Sequence, residues 1–82
     1  MNRKRLEAAG FVFVDYLPSG THYDEGNLYV LLQGGKIVRV YWPNTSDAVE
    51  VATGDLFAPE IHYNGSVSNI EELLVLVRKA LL

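Results

Sequence analysis

The chain has 82 residues, 49% of them apolar and 21% charged, and contains no cysteine. That is one domain's length with enough apolar residues for a core, which excludes a disordered chain, a disulfide framework and any thiolate metal site or cysteine nucleophile. The net charge of −3 conceals a strongly acidic body: between Leu6 and Val77, ten acids stand against Lys36 and Arg39 alone, a net −8. Such a body repels a phosphate backbone and removes nucleic acid from the expected partners.

In chain order, Asn2 to Ala9 consists of good helix formers, and Gly10 follows where a left-handed C-cap residue belongs. Phe11 to Leu17 reads as a strand and Pro18 to Asn27 as a polar loop holding Gly20 and Gly26. Leu28–Gln33 and Lys36–Trp42 flank Gly34-Gly35, whose freedom at positive φ suits a two-residue type I′ turn, so a β-hairpin is expected. Pro43 to Asp47 is a turn and Ala48 to Ala52 a short strand. Ile61-His62-Tyr63 is expected as an edge strand ended by an Asn64-Gly65 turn. Ser68 and Glu71 have capping-box spacing and open a final helix reaching about Leu82. Glu71 and Glu72 in its first turn and Arg78 and Lys79 near its last complement the helix dipole. Ile70, Leu73, Leu74, Val77 and Leu81 form its core-facing stripe.

The expected fold is therefore a single α+β domain over residues 1–82. A three- to four-stranded antiparallel sheet lies between a short N-terminal helix and a longer C-terminal one, in the order α-β-β-β-(β)-α. No run approaches the ~20 apolar residues of a membrane span. The run Phe11–Val14 behind the basic Met1–Arg5 is too short for a signal peptide and lacks a cleavage site. The expected location is the cytoplasm, with no membrane association.

The two-residue turn sets the hairpin register. It opposes Gln33 with Lys36, Leu31 with Val38, Tyr29 with Val40 and Asn27 with Trp42 on one face. Leu28, Val30, Leu32, Ile37, Arg39 and Tyr41 occupy the other. Both faces are largely apolar, whereas a sheet with one wet face alternates apolar with polar residues. Two helices cover one face. The other is covered either by the loop Thr53–Pro59, with Leu56 and Phe57, or by a partner, which includes a second copy as a homodimer.

Candidate chemistry is sparse. His22 lies among Thr21, Asp24 and Glu25, a grouping that offers a general base or a solvated polar loop. His22, Asp24, Glu60 and His62 are the only metal-ligand candidates, without the spacing of a standard site. No phosphate-binding glycine motif is present, so no cofactor is expected. Tyr41 and Trp42 serve either as an exposed anchoring pair or as one core ring and one rim ring.

Arg5-Leu6-Glu7-Ala8-Ala9-Gly10-Phe11-Val12-Phe13-Val14, followed by Gly20-Thr21-His22-Tyr23, resembles the start of HicA-type toxins. The likeness covers about a quarter of the chain. It implies an α-β-β-β-α fold like that of a double-stranded-RNA-binding domain and an RNA-cleaving activity carried by His22. The chain departs from that pattern after His22, where Asp24-Glu25-Gly26-Asn27 intervenes. It departs again in the later segments, where Pro43 precedes Asn44 and the last helix opens with Glu71-Glu72.

The leading expectation is thus a non-catalytic module that binds another protein through Asp24, Glu25, Arg39, Tyr41, Trp42, Asp47 and Glu50. Its acidic surface suits an inhibitor of a nucleic-acid-binding protein, of the kind carried by phages or mobile elements. A HicA-like ribonuclease using His22 is the alternative.

Overall fold

The computed structural model describes residues 3–14, 26–43, 48–54 and 58–82. Its element order is α1 (Arg3–Ala8), β1 (Val12–Val14), β2 (Gly26–Gln33), β3 (Lys36–Pro43), β4 (Val49–Gly54), β5 (Pro59–Gly65) and α2 (Ile70–Leu81). The five strands form one antiparallel sheet in the order β1-β2-β3-β4-β5, so each strand pairs with its neighbour in sequence. The fold is α+β, and the described residues hold five strands rather than three or four. Among the described residues, no helix is long and apolar enough to cross a membrane.

The hairpin has the register its turn dictates. Gly34 and Gly35 take φ of 59° and 78°, and Gln33 opposes Lys36, Leu31 opposes Val38, Tyr29 opposes Val40 and Asn27 opposes Trp42. On the helix-covered face one row crosses the whole sheet: Phe13, Tyr29, Val40, Val51 and Tyr63. Its first two rings pack at 5.3 Å between centroids, tilted by 54°. Leu6 of α1 and Ile70, Leu73, Val77 and Ala80 of α2 close over this row with Phe11, Leu31, Val38 and Val49.

α2 begins one residue later than a Ser68 cap requires. Asn69 is the N-cap, its Oδ1 accepting from the Glu72 N–H at 2.9 Å, and the Ser68 N–H donates to Glu72 Oε2 at 3.3 Å. The cap is thus carried by the Asn69 side chain on the Glu72 N–H, with the Glu72 carboxylate reaching back to the Ser68 N–H, and not by a Ser68–Glu71 box. Glu71 is committed elsewhere, since its carboxylate accepts from the Arg5 guanidinium and ties α1 to α2. That bond, and next its own backbone N–H, hold the Glu71 carboxyl below the ordinary carboxylate range. At the other end, Lys36 Nζ donates to the Leu81 and Leu82 carbonyls at 3.0 and 3.3 Å, pinning the last turn to the hairpin.

Asn64-Gly65 does not end β5 as a turn. The strand runs through it, with Asn64 opposite Glu50 and Gly65 opposite Val49. The Tyr63 side chain lies along Gly65, where an added Cβ would come 2.9 Å from its hydroxyl oxygen, and that hydroxyl donates to the Ser66 carbonyl at 2.7 Å. A β-bulge interrupts the pairing with β4: Val51 opposes Tyr63 and Ala52 opposes Ile61, which leaves His62 as the extra residue.

Candidate partner-binding face

The face of the sheet opposite the helices is built in rows. Val14, Leu28, Tyr41, Glu50 and Asn64 cross it at one level. Val12, Val30, Arg39, Ala52 and Ile61 cross it at the next, and Leu32 pairs with Ile37 beyond them. Burial is deepest on the central strands and falls away at the sheet edges and at the hairpin tip. Arg39, Tyr41 and Glu50 are only 4%, 6% and 6% exposed, and Leu28 and Ala52 are also buried. Val12, Leu32 and Ile37 are 66%, 68% and 46% exposed and form an apolar corner where β1 meets the hairpin tip.

The buried part of this face has its own packing. Leu28 and Tyr41 form a small cluster with Val14 and Val30. The Tyr41 ring lies against Gly26, where an added Cβ would stand 2.6 Å from Tyr41 Cε1. Any side chain at 26 would displace the ring, so this glycine is needed for a close approach rather than for its backbone angles. The Arg39 guanidinium reaches along the sheet and donates through Nη2 to the carbonyls of Thr53 and Gly54 at 3.1 and 2.8 Å, closing the end of β4.

This places the residues expected to bind a partner. Arg39, Tyr41 and Glu50 are buried in the central strands of this face. Trp42 is half-buried and packs on the helix-side core, so of the two adjacent rings Tyr41 belongs to one face and Trp42 to the other. His22, Asp24, Glu25 and Asp47 lie outside the described residues, as do Leu56 and Phe57. The exposed corner was only half legible in sequence. Leu32 and Ile37 belong to the second face by simple alternation, but alternation carries no information on which part of that face is covered.

Glu60 and His62 do come together. Both line a cleft of about 480 Å³ with Lys36, Thr53, Gly54, Ala80 and Leu82, between the end of α2 and the β4–β5 pair. His62 Nε2 is 2.6 Å from Thr53 Oγ1, which orients the imidazole on the helix side of the strand. Among the described residues, no group of three His, Asp or Glu side chains gathers to hold a metal. The cleft can offer a hydroxyl, an imidazole, a carboxylate and an ammonium group to a polar ligand, but the ammonium is already engaged by two carbonyls. No family model matches the chain, and neither characterised proteins nor solved structures yield a match.

Proposed function

We propose that the protein is a non-catalytic module that acts by binding another protein, with the corner formed by Val12, Leu32 and Ile37 as the contact surface. The observation that carries this reading is the exposure of three large aliphatic side chains on a face that is buried at its centre. Contiguous apolar surface of that kind loses free energy in water and is a usual mark of an interface. The net −8 of the body supports a basic partner, such as a protein that itself binds nucleic acid, because complementary charge speeds encounter and suppresses wrong partners. In this reading the chain inhibits by occupying that partner's basic surface.

The test is affinity capture from lysate treated with nuclease, comparing the wild-type chain with Leu32→Asp and Ile37→Asp. A stoichiometric protein captured by the wild type and lost in both variants supports the reading. Retention of the same protein by both variants removes the corner from the interface. Charge reversal at Asp24, Glu25 and Asp47 then tests the inhibitory version, which expects slower association and a flatter dependence on salt.

A further inference from the structure

β5 is the long edge of the sheet, seven residues against three in β1, and among the described residues nothing pairs with its outer side. An edge of this kind presents unpaired N–H and C=O groups and is a template for another strand. Both ends of β5 are blunted: Pro59 has no N–H to donate, and the bulge at His62 disturbs the backbone beyond it. From Pro59 up to the bulge residue itself, Glu60, Ile61 and His62 are all exposed. Glu60 and His62 face the helix-side cleft, and Ile61, opposite Ala52, lies on the other face.

We propose that two copies of this chain form a two-fold dimer by antiparallel pairing of β5 with β5, centred on Ile61. Residues directly opposed across an antiparallel pair point to the same face. A two-fold axis normal to the sheet must therefore pass midway between the two copies of a single residue, which opposes itself. The open stretch provides three such centres. Centring on Glu60 sets carboxylate against carboxylate, which destabilises the pairing. Centring on His62 sets imidazole against imidazole, with no complementary partner for either. Centring on Ile61 sets each Glu60 opposite His62 of the second copy, twice over. An imidazole N–H can donate to that carboxylate, and imidazolium adds charge attraction. The same register places Ile61, 44% exposed, against its own copy on the opposite face. Charge complementarity thus selects one register out of three.

Over the described residues, the assembled sheet has ten strands with α1 and α2 of both copies on one side, and it leaves the Val12–Leu32–Ile37 corner free. The dimer is independent of the proposed partner contact, and Leu32→Asp should not alter it.

Sedimentation velocity on the full chain, from low micromolar to several hundred micromolar, should show a mass rising from 9.2 kDa towards twice that value. His62→Glu should weaken dimerisation about tenfold, since two symmetry-related pairs turn from attraction to repulsion, and Glu60→Lys should weaken it by removing the carboxylate acceptor from both pairs. Ile61→Lys sets two ammonium groups on the axis and should leave monomer. The combined exchange of Glu60→His with His62→Glu restores complementarity and should recover the wild-type affinity, a rescue that misfolding cannot mimic. Monomer at every concentration overturns the proposal. So does a dimer whose affinity is unchanged in Glu60→Lys and Ile61→Lys, which would place the interface elsewhere.

Discussion

Leu28 and Leu32 provide a controlled test of the burial gradient, because they have the same side chain, on the same strand and the same face, four residues apart. Leu28 is 2% exposed and packs with Tyr41, Val14 and Val30, whereas Leu32 is 68% exposed. Truncation to alanine removes three carbon atoms. At ~0.8 kcal/mol per buried methylene the transfer loss at Leu28 is roughly 2.4 kcal/mol, and the cavity left among its neighbours raises it to about 3. Only about a third of Leu32 is covered, so the same truncation there loses about 0.8 kcal/mol at most and leaves no cavity. Against the roughly 4–12 kcal/mol of stability usual at this length, Leu28→Ala removes a large fraction and Leu32→Ala little. Urea unfolding followed by circular dichroism measures both. The expected result is a clearly lower midpoint for Leu28→Ala, a small shift for Leu32→Ala and unchanged slopes. Equal losses at the two positions would refute the gradient, and with it the assignment of the corner as free surface.

Two further predictions concern α2. Asn69→Ala should cost about 1 kcal/mol by removing the cap on the Glu72 N–H, whereas Ser68→Ala leaves that bond in place and should fall within roughly 0.5 kcal/mol of wild type; a larger loss at Ser68 than at Asn69 would reverse the cap assignment. The lowered Glu71 pKa means that the folded state favours its ionised form. Its contribution is complete above the ordinary carboxylate pKa and fades as pH falls through the lower folded value. Glu71→Gln should therefore flatten the loss of stability between neutral and acid pH, most at low salt, as measured by thermal unfolding across that range. An unchanged acid profile would show that the Arg5 contact carries no linkage.

Much of the architecture is legible residue by residue. Gly34-Gly35 between two apolar runs specifies the hairpin and its register, and that register already separates Leu28, Val30 and Arg39 from Tyr29, Leu31 and Val38. The 3.6-residue spacing of Ile70, Leu73 and Val77 gives the buried stripe of α2, to which the structure adds Ala80, with Leu74 and Leu81 at the margin. These features depend on neighbours in sequence, where turn chemistry and helical period act directly. The cap moved by one residue because Asn69 is as good a cap as Ser68, and starting there buries Ile70 while Glu71 reaches Arg5, a residue 66 positions away.

By itself, the sequence determined the α+β class, the central hairpin, the two helices and the acidity of the body, since each follows from composition or short-range periodicity. Only the tertiary structure decided that Asn64-Gly65 continues a strand, that Arg39, Tyr41 and Glu50 are buried, and that Val12, Leu32 and Ile37 are exposed. Those outcomes depend on contacts between distant segments: a tyrosine ring on a glycine, a guanidinium on the carbonyls of the next strand, a face covered at its centre and open at one corner. Residues with the same local pattern, such as Leu28 and Leu32, therefore differ only once the whole sheet has assembled.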